Sequence, residues 1–169
     1  IASVPPSLDA LFEKLWTEGA GDAEVIALGL RLGGQRAQSA ALSFIDDPDE
    51  PIDARVELLQ RLAETADDSL EKVLLDIIRS SPAERLRLVA LNGLRRSDNT
   101  AIPEILIPEI SSLEGTLREA AVGLLAGQAA FAQSLLAAVE SGRVSGVQFH
   151  PEKSGDAGLR ILKNWLNAV

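Results

Sequence analysis

The sequence predicts an all-α fold: an α-solenoid of about four helical pairs, followed by a short extended segment and a final helix. Three observations predict it. Leu and Ala dominate a chain that is 46% hydrophobic and only 4% aromatic, and both lose little on entering a helix. Apolar residues recur at three- and four-residue steps, the spacing of one helical face. One pattern also returns along the chain at a nearly constant interval, the mark of a repeat architecture.

The repeat is clearest in "ARVELLQRL" at 54–62, "LRLVALNGL" at 86–94 and "LREAAVGLL" at 117–125. Arg stands second in each, at Arg55, Arg87 and Arg118, with intervals of 32 and then 31 residues. Leu59, Leu91 and Val122 come four positions later, and Leu62, Leu94 and Leu125 three beyond those. An earlier unit at 23–32 aligns with Glu24 in the Arg place and Leu28 in the place of Leu59. A second helix is predicted after each first one, at 37–45, 69–78, 100–110 and 131–140. In the middle two, Leu70, Val73 and Leu74 answer to Ile102, Ile105 and Leu106.

The punctuation supports these elements in order. Pro51 is placed to start the helix through Arg55. Asp68 with Glu71 reads as a capping box, as do Ser81 with Glu84 and Thr116 with Glu119; Pro82 takes the first helical position in the second of these. Pro103 suits a first turn, whereas Pro108 is expected to kink or split its helix, because it lacks the amide proton of the i−4 bond. One helical pair cannot bury its apolar face alone, but stacked pairs share a continuous core.

This pattern, over about residues 20–142, resembles HEAT-type repeats. The resemblance implies HEAT-like helical pairs in an α-solenoid whose concave surface binds proteins or peptides. The run "LLAAVESGRV" at 135–144, with the Leu-rich units before it, also resembles the HEAT region of planctomycete-type membrane-bound dehydrogenases. In those proteins a c-type haem domain comes next. Here Cys-x-x-Cys-His does not occur, so no haem function carries over. The repeated Arg reads as a surface or inter-repeat ion-pair residue rather than a ligand contact.

Charge and composition narrow the function. The net charge is −9, which argues against general nucleic-acid binding, since that needs basic patches to displace counterions. No apolar run has the length of a membrane span. The chain has no Cys, which excludes disulfides, zinc–thiolate sites and thiol catalysis within these residues. The absence of Met at Ile1 suggests a fragment or a processed chain. The compartment is not indicated.

After residue 145 the character changes. Of 16 basic and 25 acidic residues, 146–169 hold three and two. The segment "SGVQFHPEKSGDAGLRILKNWLNAV" has no place in the repeat and reads as strand, turn, helix. Asp156 can cap a helix whose apolar face is Leu159, Leu162, Trp165 and Leu166. We therefore expect a helical repeat domain at 1–145 and a tail at 146–169, with an abrupt junction that suits a grafted or recombined segment.

The tail resembles the C-terminus of class I glutamine amidotransferases, nearest the glutaminase subunit of imidazole glycerol phosphate synthase. The matching residues are Gln148, Phe149, His150, Pro151, Glu152, Lys153, Ser154, Gly158 and Leu159. The resemblance implies that His150 is the base that activates a catalytic cysteine and that Glu152 orients it. The cysteine is missing, as are the βα units that would hold it on a strand-to-helix turn. None of the serines sits in a Gly-x-Ser-x-Gly elbow. One His with Glu nearby is also too little for a metal site. We thus expect no functioning catalytic residue, no cofactor and no metal. The expected role is a non-enzymatic protein-interaction or structural scaffold, with Phe149 and Trp165 as tail anchors and a protein or peptide as partner. The alternative is a fragment of a glutamine amidotransferase, inactive alone for lack of a nucleophilic Cys.

Overall fold

The computed structural model describes residues 6–64, 68–142 and 144. Among them the chain is all-helical, with no strand. The helices are α1 (Pro6–Gly19), α2 (Ala23–Arg31), α3 (Gln35–Asp46), α4 (Ile52–Ala63) and α5 (Asp68–Ser80). Then come α6 (Glu84–Gly93), α7 (Ala101–Glu109), α8 (Gly115–Gly127) and α9 (Ala129–Glu140). A single 3-10 turn, Leu94–Arg96, extends α6. The predicted first helices are α2, α4, α6 and α8, and the predicted second helices are α3, α5, α7 and α9. The expected extended segment and final helix of 146–169 lie outside the described residues.

The apolar spacing sets which faces are buried. Leu62, Leu94 and Leu125 are all fully enclosed, as are Leu59 and Leu91, while Val122 is half-buried. In the second helices Leu70 and Leu74 are buried with Val73 half-buried, and Ile102, Leu106 and Ile105 repeat that order. The first unit is the exception. Glu24 is exposed and Leu28 half-buried, whereas Ile26 and Leu30 are enclosed. Its register is therefore two residues later than the sequence alignment places it, because Ile26 stands fourth in α2 as Arg55, Arg87 and Arg118 stand fourth in α4, α6 and α8.

Helices α2, α4, α6 and α8 form a row in which each contacts the next. α3 packs on α4, α5 on α6 and α7 on α9. Polar contacts cross between helices of neighbouring units. Arg85 Nη1 meets Asp53 Oδ1 at 2.6 Å, each near the start of its helix. Thr116 Oγ1 donates to Glu84 Oε1 at 2.5 Å. Arg79 Nε donates to Glu109 Oε1 at 3.1 Å. Glu71 accepts from Ser97 Oγ and, at 2.7 Å, from Asn99 Nδ2, which ties α5 to the loop before α7.

Several helix ends differ from expectation. Helix α6 begins at Glu84 with Ala83 as its cap, and Ser81 Oγ accepts from Ala83 N–H instead of from the helix. Pro82 consequently lies before the helix. Thr116 lies inside α8, where its hydroxyl is taken by Glu84, so it does not cap. The side chain of Asp68 lies outside the described residues. Asp22 does cap: its Oδ1 accepts from Glu24 N–H at 2.8 Å and Val25 N–H at 3.4 Å. Pro51 immediately precedes α4. Pro108 neither kinks nor splits α7; it is the penultimate helical residue, and the helix stops at Glu109. Ending there confines the missing amide bond to the last turn.

Each repeated arginine donates through Nε to a backbone carbonyl just upstream of its helix. Arg55 Nε donates to Ile45 O at 2.8 Å, Arg87 Nε to Ile78 O at 2.7 Å and Arg118 Nε to Leu113 O at 2.7 Å. Arg118 Nη2 also reaches Ser111 O at 3.3 Å. The first two acceptors are among the last carbonyls of α3 and α5; the third lies in the turn after α7. The final carbonyls of a helix have no partner within it and carry its negative end, so a cation with N–H donors suits them twice over. The expected ion-pair role thus gives way to a charge-assisted cap on backbone.

Close packing makes a strict requirement of Gly29 in α2. A Cβ there would stand 2.6 Å from Ala37 Cβ and 2.9 Å from Phe12 Cζ. A glycine inside a helix costs about 1 kcal/mol against alanine, and here it lets α2 approach both α1 and α3.

Thermal or urea unfolding should separate these contributions. Arg55 is only 9% exposed, so Arg55→Ala, which strands Ile45 O, is expected to cost about 2 kcal/mol. Arg118→Ala, at an exposed position, should cost within about 1 kcal/mol. Equal losses at the two positions would refute the capping account. Gly29→Ala should lower stability by about 1–3 kcal/mol through overpacking, despite the better helix former; a rise in melting temperature would contradict the packing described.

Candidate functional site

The residues singled out by sequence, Phe149, His150, Glu152 and Trp165, all lie outside the described residues. No geometry is assigned to them. What the helical body offers can be built from the described side chains.

A groove of about 570 Å³ runs along the C-terminal halves of α3 and α5, where they meet the starts of α4 and α6. Its walls are apolar, with Leu42, Ile45, Val73, Ile77 and Leu86. Asp46 and Asp76 give it an acidic character, and Arg55 contributes the one cation in its lining. That size lies within the range of about 300–1,000 Å³ usual for small-molecule sites. Three of its polar side chains, however, are engaged in the fold. Arg55 Nε is held by Ile45 O, Ser80 Oγ donates to Asp76 O at 2.7 Å, and Ser81 Oγ accepts from Ala83 N–H at 3.3 Å.

Nucleophilic catalysis needs a nucleophile and base within hydrogen-bond reach. The lining of this groove contains no Cys and no His; of its serines, Ser80 and Ser81 are engaged with backbone, and Ser43 has no base hydrogen-bonded to it in the lining. Among the described residues, no group of three or more His, Asp or Glu is placed to hold a metal ion. No single described helix is long and apolar enough to cross a membrane.

One cluster escaped the sequence reading. The Arg36 guanidinium lies 5.4 Å from the Trp16 ring centroid and its Nη1 is 3.2 Å from Glu13 Oε2, joining α3 to α1. Trp16 is buried and packs against Phe12, with centroids 5.6 Å apart. No repeat position signals this contact, because α1 precedes the repeat. A cation over an indole face attracts the ring quadrupole, and the arrangement serves to seat α1.

Comparison with known proteins places a glutamine amidotransferase-like part in this chain. A stretch of 34 residues is 62% identical to the imidazole glycerol phosphate synthase subunit HisH of Nocardia farcinica, covering 20% of this chain and 16% of that protein. The HisH subunit of Mycolicibacterium paratuberculosis is 68% identical over 34 residues, with the same coverage. That of Mycobacterium tuberculosis is 51% identical over 41 residues, 24% of this chain and 20% of that protein. The chain thus spans about one sixth to one fifth of the length of these relatives. No protein-family model matches the chain, and no solved structure matches it.

Proposed function

We propose that the C-terminal part of this chain is a fragment of a glutamine amidotransferase of the imidazole glycerol phosphate synthase kind, catalytically silent here. It is joined to a HEAT-like α-solenoid that serves as a binding surface for a protein or peptide. The observation that carries the first half is the 62–68% identity over 34 residues to HisH subunits. His150 and Glu152, in the run Gln-Phe-His-Pro-Glu, are the residues whose type suits a base and its orienting carboxylate.

A histidine base of this kind would make a thiolate from a thiol, and the thiolate would attack the amide carbon of glutamine. The chain has no Cys, so that attack has no starting group. A serine does not substitute without a prepared base and oxyanion donors. The binding-surface half is supported by the polar contacts between neighbouring pairs. Asp53 with Arg85 joins the start of α4 to that of α6, and Glu84 with Thr116 joins the start of α6 to that of α8, as stacked units would.

An ammonia-release assay with L-glutamine tests the catalytic statement. The purified chain is expected to release none above the protein-free rate, and His150→Ala to change nothing. It should also restore none to a HisH-type subunit that keeps its thiol but lacks its own matching 34 residues. Ammonia release in either setting, abolished by His150→Ala, would show a working half-site and overturn the reading.

A further inference from the structure

We propose that the groove between α3 and α5 binds a short peptide segment in which a Lys or Arg stands near an apolar side chain. The inference rests on the reading of the helical body as a binding surface and names the chemistry of its partner.

The first observation is the gap itself. α3 packs on α2 and α4, and α5 packs on α6, but α3 and α5 do not pack closely on each other. Their C-terminal halves form the two long walls of the groove of about 570 Å³. Leu42 on one wall and Val73 with Ile77 on the other are only half-buried. Val73 and Ile77 stand four residues apart, on one face of α5. An apolar side chain inserted between the walls would take surface on both out of water.

The second observation is a pair of carboxylates without partners. Asp46, the last residue of α3, and Asp76 in α5 both line the groove, and both are exposed. Among the described residues, neither side chain makes a hydrogen bond or an ion pair. A cation entering the groove from outside is the partner they lack.

The third observation is Arg55, which is 9% exposed and lines the groove. Its Nε is held by Ile45 O, while its two Nη groups donate to no described residue and are not sealed from solvent. The Nε bond fixes them in place, so an acceptor gains these donors without ordering a loose side chain. Charge decides which acceptor. A carboxylate or phosphate beside Arg55 would also meet Asp46 and Asp76, in a chain of net charge −9, and would be repelled. A peptide carbonyl is neutral and is not. One segment of chain thus supplies all three needs: a carbonyl for Arg55, a cation for the carboxylates and an apolar side chain for the walls. A small organic cation would leave Arg55 and the walls unanswered.

The test uses the full-length chain at physiological salt and a positional-scanning library of acetylated, amidated octapeptides, with binding read by fluorescence polarisation. The library is expected to select Lys or Arg together with Leu, Ile or Val, and to reject Asp and Glu. Asp46→Asn with Asp76→Asn, at unchanged helical ellipticity, should weaken the best peptide about fivefold to tenfold, as the loss of two exposed ion pairs would. Glu104→Gln with Glu119→Gln removes the same charge from exposed positions on α7 and α8. It should change affinity by less than about twofold, because distant charges are screened. Asp46→Lys with Asp76→Lys should turn the preference towards Asp and Glu. Equal weakening by the two neutralised pairs would show general attraction to an acidic body and overturn the proposal. A best peptide indifferent to Asp46 and Asp76 would also overturn it, while leaving a binding surface elsewhere on the body. A library that yields no binder would overturn both this inference and the binding-surface reading.

Discussion

A guanidinium at the fourth position of one helix holds carbonyls at the end of the preceding one, and much of the body depends on that contact. Between α3 and α4 and between α5 and α6 the chain reverses over a few residues, and the two helices of each turn pack together. A reversal that tight leaves helix-terminal carbonyls beside the next helix, where water has limited access. Arg55 and Arg87 supply both a donor and a positive charge at these places, matching the orphan acceptors and the negative end of the dipole; Arg118 meets carbonyls in the turn after α7 instead. Because the cap comes from the next unit, completing one pair requires its successor to be in place. The first unit has Ile26 at the equivalent position, buried in the core; between α1 and α2, Asp22 caps the incoming helix instead.

This dependence on neighbours explains where the body is complete and where it is not. In the interior, carbonyls, carboxylates and apolar faces meet partners from the adjoining unit. At the ends, the same rule leaves groups waiting. At one end, α1 is tied down by different means: Trp16 buried, with Arg36 over its ring and Glu13 beside it. At the other, α9 leaves Leu136 and Val139 to solvent.

The helices were legible in the sequence because burial has a period close to 3.6, and Leu, Val and Ile report it directly; their pairing was not, since α3 packs on α4 and α5 on α6. Leu70, Val73 and Leu74 against Ile102, Ile105 and Leu106 are the clearest example: the alignment made from letters is also an alignment of burial. The arginine's role was not legible, since its partner is a backbone carbonyl and every residue has one. The Ser81 and Thr116 expectations failed for a related reason. A hydroxyl three residues before a glutamate suits a capping box, but Thr116 met Glu84 across the unit boundary instead, and no local pattern encodes that neighbour. The register of the first unit slipped by two because Ile26 replaced the arginine that anchors the others. Of the candidate site, the motif around His150 and the missing thiol were legible from residue types alone; the body adds a groove in which Arg55, Ser80 and Ser81 serve the fold.

The length of the amidotransferase likeness bears on how the two parts meet. A match of 34 residues cannot fit within 146–169, which holds 24. A match of that length that includes the motif runs back through residue 145 into the residues before it. Those residues are the turn at Gly142 and the end of α9. One stretch therefore answers to two constraints: it resembles part of an enzyme subunit, and it forms the closing helix of the row. A helix that had only to close the row would put polar residues on its outer face. Leu136 and Val139 are where α9 departs from that pattern, and they stand beside the point from which the amidotransferase-like segment continues.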